Sequence, residues 1–426
     1  MRSGLTGLRV GRAHTDKTSQ LLVPTVFWIT GAFGMVAGLW RLWISRHAVL
    51  QGVMSAGGVI AGIHCFTLAG LTMVMMGALY QLVPVLLNAK PVRTGAALSQ
   101  WVIYTIGIIV FVIGLIYNSP LSLSLGGVGL VGGISFFVVN IGGRISHRTT
   151  WNITGWFFTG ALGYLSLTIL MGALLAWRYV FGTAIFSHAL TVHMTIAVGG
   201  WFGLLVSGVS YRLWAMFGRK HHEPTLWFVT WSFINGAVMG IVAGNVLGVY
   251  WLQVLGWGFQ IIAFAAFVGD LIAGGLFDRR TMRDPVLRAA GSSLVFLGVF
   301  EVLGTIAVLG HHYPLWIPAL WAYGLGWVGL SFLSFSQKLF PFMIWLHRYA
   351  HAPRGGKAPR LDDIWRPWWV YGPSASAFFG LITMLIAWGF GSGGWFSLGL
   401  ALEALAWVSL VVMGTIAFRG PHRLHE

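Results

Sequence analysis

Apolar residues run along this chain in long stretches separated by short polar breaks. Twelve stretches reach the ~20 residues that a helix needs to cross the hydrocarbon core of a bilayer. They cover 21–45, 57–87, 97–118, 121–141, 154–178, 184–211, 226–249, 251–275, 288–310, 316–345, 369–390 and 394–418. Continuous apolar runs of this length read as helices rather than strands. Pro120, the glycine run at Gly126, Asn245 and Gly391–Gly394 carry the turn chemistry expected of tight hairpins. Neighbouring spans come closest to fusing at 118–121 and 249–251. The predicted fold is an all-α polytopic membrane protein, one transmembrane domain of about twelve helices.

Composition supports this reading. Charged residues make up 8% of the 426, against about a quarter in soluble domains, and the mean hydropathy is +0.79. No break is long enough for a separate soluble domain. The first 20 residues are polar and basic, so no signal peptide is expected. A formal charge of +16 would suggest nucleic acid in a soluble protein. Here, all but Arg41, Arg46 and Arg178 of the 26 Lys and Arg fall before the first span or after an even-numbered one. That asymmetry predicts cytoplasmic N- and C-termini in a cell inner (cytoplasmic) membrane, with lipid and not nucleic acid as the surrounding partner. Cys65, the only cysteine, excludes an internal disulfide, a Cys-x-x-Cys-His heme attachment and an iron–sulfur cluster held by this chain alone.

His64, His188 and His193 lie within or beside apolar stretches. An imidazole is costly in hydrocarbon and usually faces a bundle interior or a cofactor. The bland reading is a core histidine bonded to a carbonyl. Spans two and six run in the same direction, however, and place His64 and His193 roughly 10–14 Å below the outer boundary. Two imidazoles at matched depth on different helices suit the two axial positions of a heme iron. His188 is turned about 140° from His193 and lies nearer the surface. It is the alternative span-six ligand.

The histidine stretches echo each other. Span two reads His64-x5-Gly70, then Gly77, Tyr80 and Pro84; span six reads His193-x5-Gly199, then Gly208 and Tyr211; span ten ends on Gln337 and Pro341 without a histidine. Spans four apart thus share a signature, predicting three four-helix repeats at about 21–141, 154–275 and 288–418. On these residues, with Lys338-Leu-Phe-Pro341-Phe and the Trp345–Tyr349 segment, the chain resembles subunit I of the heme-copper oxidase superfamily. The resemblance is strongest to its C-type and nitric oxide reductase branches. It implies twelve spans in three arcs, hemes near the outer face, and His64 as a low-spin heme ligand. The departures matter as much. Span ten lacks the family's His-x-His pair, span seven lacks its His-His pair, and His311-His312 falls in an outer loop. A copper-free relative holding b-type heme, one or two per chain, is the expectation.

Arg41, Arg46 and Arg178 are candidate partners for heme propionates, since arginine matches carboxylates with a planar fork; snorkelling at the interface is the competing reading. Glu301, Glu403 and Asp270 are intramembrane acids, suited to proton transfer or quinol binding, or bonded to a neighbouring helix. The many aromatics, among them Trp40, Trp151 and Trp365, fit interfacial belts. The resulting expectation is an electron-transfer subunit between a quinone pool and an outer-face redox partner, a cytochrome or another subunit. A heme-dependent nitric oxide or oxygen reductase and a twelve-span secondary transporter are the alternatives.

Overall fold

The computed structural model describes residues 21–183, 185–218, 223–279, 281–349 and 361–419. The N-terminal basic stretch and the side chains of 346–349 lie outside the described residues. Twelve helices are long and apolar enough to cross a membrane: Leu22–Ile44, Gly57–Leu86, Thr94–Tyr117, Pro120–Ser146, Ile153–Phe181, Ala189–Phe217, Trp227–Leu247, Tyr250–Ala273, Pro285–Leu309, Tyr313–Trp345, Pro367–Phe390 and Gly393–Phe418. They are spans one to twelve below. Among the described residues there is no strand, and the protein is an all-α, multi-pass membrane protein. The connections after even-numbered spans carry most of the Lys and Arg, and we call that side the basic end.

Spans three and four, seven and eight, and eleven and twelve form tight hairpins. Asn118, Gly248 and Gly391 end spans three, seven and eleven with φ of 50°, 67° and 63°, the left-handed conformation that closes a helix and turns the chain. Pro120 opens span four behind the Ser119 cap, as its position predicts. Gly126 does not make a turn. It lies inside span four, where a Cβ would fall 2.3 Å from the Phe111 backbone nitrogen. Asn245 is likewise helical, with its side chain donating to the Ile241 carbonyl at 2.8 Å. Breaker residues here serve close approach, because small residues are what let membrane helices touch. Each hairpin crosses at a glycine pair: Gly107 on Gly129, Gly240 on Gly256, and Gly380 on Gly399.

Spans two, six and ten form the centre. In each, the α-helix widens into eight residues of π-helix, at Cys65–Thr72, Ile196–Gly203 and Ala322–Gly329. Such widenings redirect the side chains beyond them and concentrate at functional sites. The fifth residue of each is small (Ala69, Gly200, Gly326), and each is pressed by the preceding odd-numbered span. A Cβ on Gly34 would lie 2.3 Å from the Ala69 carbonyl; one on Gly200 would lie 2.3 Å from the Tyr164 ring; one on Gly326 would lie 2.4 Å from Phe296.

A π segment shifts its carbonyls out of the α-helical ladder, and lipid offers them no donor. Two are capped from another span. Tyr104 donates to the Leu68 carbonyl at 3.0 Å and Tyr323 to the Val198 carbonyl at 2.7 Å. Tyr104→Phe therefore orphans a buried acceptor, and we expect a loss of about 1–3 kcal/mol, read as a lowered thermal midpoint in detergent. An unchanged midpoint would mean that the Leu68 carbonyl finds another donor.

Fifteen residues beyond each π start stand Tyr80, Tyr211 and Gln337. Tyr80 packs on Phe27 and edge-on to Phe137; Tyr211 packs the same way on Phe157 and Phe267. Each polar group then meets the next span: Tyr80 donates to Gln100, Tyr211 shares a hydrogen bond with Thr230, and Gln337 donates to Ser374. The same solution thus recurs every four spans.

Candidate functional site

His64 is the last α-helical residue before the π segment of span two, and His193 stands three residues before that of span six. Measured from the π starts they differ by two residues, roughly 3 Å along the axis. The same offset is already in the sequence, where His64 is 16 residues before Tyr80 and His193 is 18 before Tyr211, and span six begins at Ala189 rather than near 184. Tyr80 and Tyr211, by contrast, align.

The two rings lie near each other on spans two and six, flanked by spans three and five. His64 packs edge-on against Phe111 of span three, with ring centres 5.6 Å apart. His193 packs against span five, where a Cβ on Gly172 would fall 3.2 Å from its Cε1. They are near enough that a charge on one is felt at the other. Both are half-buried although Ala61, Gly62, Val192 and Ile196 around them are buried.

Their hydrogen bonds leave ligating atoms open. His64 Nδ1 lies 2.9 Å from the Ile60 carbonyl, so it is the protonated nitrogen and Nε2 keeps its lone pair. A metal-bound histidine characteristically has such a bond on its far nitrogen. His193 Nδ1 is buried without a well-formed partner, beside the Thr168 carbonyl of span five. Among the described residues no three of His, Cys, Asp or Glu gather around a point. Two imidazoles alone suit a group that brings its own equatorial ligands, which is what a porphyrin does.

His188 is not part of this arrangement. It is exposed, with φ of 65° at the turn into span six. Its exposure weighs against it as the alternative ligand. The three arginines also separate. Arg41 lies over Gly58, where a Cβ would fall 2.4 Å from its guanidinium. Its Nε is buried without a partner, and its charge reaches Cys65, next to His64. Arg46 donates to the Trp43 carbonyl at 3.1 Å and lies over the Trp43 ring, a local interfacial arrangement. Arg178 is exposed. The sequence treats the three alike; only Arg41 keeps a buried donor to offer.

His311 is exposed and stacks on Tyr250, as a loop residue does. Trp365, expected at an interface, is buried at 4% exposure. Glu301, Glu403 and Asp270 are all buried, and Asp270 caps the start of span seven through the Thr225 and Leu226 amides. Sequence reasoning missed Phe111, Thr168 and Gly172 around the histidines. A usable signal existed in the spacing of about 130 residues that links Phe27 to Phe157, Gln100 to Thr230 and Asn140 to Asp270. No protein-family model and no curated protein matches this chain.

Proposed function

We propose that the chain is a b-type heme-binding membrane subunit that carries electrons, with His64 and His193 as the axial ligand pair. The observation that carries this reading is the proximity of two half-buried imidazoles on different spans, with His64 Nδ1 held by the Ile60 carbonyl so that its Nε2 is free to ligate. Heme supplies a one-electron couple that apolar helices lack. The protein's part is to fix the His64 tautomer through Ile60, to seat His193 against Gly172, and to keep water out with Phe111. Arg41 would bring the charge that anionic propionates require.

The distribution of basic residues assigns the basic end to the cytoplasm. The histidines, near the opposite ends of their spans, then lie in the outer half of the membrane. An outer-face partner would receive or deliver the electron, and a quinone pool in the bilayer would be the other side of the exchange.

A pyridine hemochrome assay on purified protein tests this directly, with a b-type spectrum expected and no stoichiometric copper. A preparation without heme absorbance overturns the proposal. Carbon monoxide discriminates further: a bis-histidine heme stays silent, whereas a strong difference spectrum would indicate an open axial position and favour reductase chemistry. Arg41→Gln should lower the reduction potential by on the order of tens of millivolts, since loss of a nearby positive charge disfavours the reduced iron. Arg46→Gln and Arg178→Gln should change it much less. Redox titration of the three variants checks the ranking, and an unshifted Arg41→Gln would place the propionates elsewhere.

A further inference from the structure

The histidine pair leaves unused a small cavity of about 20 Å³ among spans six to ten. Its lining includes Ser207, Thr230, Gln260, Leu297 and Tyr323, an uneven mixture of hydroxyls, an amide and apolar walls. That is about the room one water needs, and polar lining is what keeps a buried water in place. The polar groups also continue beyond the cavity in both directions.

Toward the basic end, Thr230 Oγ1 and the Tyr211 hydroxyl are 2.8 Å apart. The Asp270 carboxylate lies beside that hydroxyl. It accepts from the Thr225 and Leu226 amides at 2.9 and 3.0 Å, and both of those residues are exposed. In the other direction, Gln260 Nε2 donates to Glu301 Oε1 at 2.8 Å. Glu301 is 5% exposed, and its Oε2 is buried without a partner. Leu297, one turn away on the same face of span nine, lines the cavity. A buried unpartnered carboxylate oxygen is costly, and a proton on Oε2 removes its charge.

The first arc lacks such a route at the same positions. Gln100 and Asn140 stand where the second arc has Thr230 and Asp270, and Leu130 stands where it has Gln260. Gln100 is bonded to the Gly133 carbonyl at 3.1 Å and Asn140 to Tyr80 at 3.0 Å. Amides do not relay protons as hydroxyls and carboxylates do; in the second arc, by contrast, a surface-linked acid and two hydroxyls lead toward Glu301 in span nine, at the start of the third.

We propose that Glu301 is a proton-exchanging carboxyl, supplied from the basic end through Asp270, Tyr211, Thr230 and water in this cavity. A proton arriving from the last water bonds to Oε2 and neutralises the carboxylate; the reverse step returns it. Gln260 is a positioning residue that occupies Oε1 and leaves Oε2 for the proton. The titratable group facing Glu301 from span ten is Tyr323, whose hydroxyl is held by the Val198 carbonyl. Span eight faces it with neutral Gln260 and, through Thr305, with Trp257. Span eleven has no titratable residue from Gly372 to Phe390. The inference does not depend on heme.

The test is infrared difference spectroscopy of the full chain in vesicles of one orientation, with a pH step applied to one face at a time. A carboxylic C=O band that responds to pH at the basic end, and that is lost in Glu301→Gln, is expected. Thr230→Val and Asp270→Asn should slow that response at least about tenfold. If Glu301→Gln does not accumulate, Glu301→Asp should shift the band and serves the same assignment. A band answering only to the opposite face, equal rates in Thr230→Val and Asp270→Asn, or no pH-responsive band would each overturn the proposal.

Discussion

Replacing His64 with Ala should abolish the six-coordinate low-spin heme spectrum almost completely. Span two has no second imidazole to replace it; Phe111 packs against His64, and Cys65, the next residue along, is turned about 100° away on the helix. His193→Ala should do the same from the other side, leaving the iron bound by one imidazole and open to carbon monoxide. His188→Ala should be silent, because its side chain is exposed. Absorbance and electron paramagnetic resonance of the three variants, each checked for monodispersity, measure this. A six-coordinate spectrum retained in His64→Ala would remove that residue from the ligand set. Loss in His188→Ala with retention in His193→Ala would exchange the span-six ligand.

Gly34→Leu should cost the protein its fold. Gly34 is pressed on the π segment of span two so closely that its Cβ would overlap the Ala69 carbonyl at 2.3 Å and the Gly70 nitrogen at 2.7 Å. Backbone cannot step aside as a flexible side chain can. Overpacking a well-filled core costs about 1–3 kcal/mol even where side chains yield, so a backbone clash should exceed that. Gly31 and Gly38 flank it on the same face, against Val74 and Phe66, which leaves span one no easy shift. We expect little monodisperse protein and, in what is recovered, a displaced His64 with altered heme absorbance. Gly127→Leu is the control, since no heavy atom lies within 4 Å of a Cβ there. Normal yield and spectrum from Gly34→Leu would show that the contact between spans one and two yields freely.

Sequence alone determined the membrane class and the number of spans, because bilayer thickness imposes one length on every crossing helix and apolar composition is read residue by residue. It also determined that His64 and His193 were the imidazoles to examine, since a polar ring in an apolar stretch stands out locally. What it left undivided were choices that depend on direction. His188 and His193 differ by five positions, and only the start of span six at Ala189, which leaves His188 exposed before it, separates a surface ring from one within the span. Arg41, Arg46 and Arg178 look alike as basic residues at span ends; a guanidinium laid over Gly58, another over Trp43 and a third in the open are facts of packing. Gly126 and Asn245 carry turn chemistry, yet the tertiary structure uses one for close approach and bonds the other within its helix. The π segments were decided only by assembly. Widened turns free carbonyls that must be capped from distant spans, by Tyr104 and Tyr323, and no local propensity encodes a partner 36 or 125 residues away.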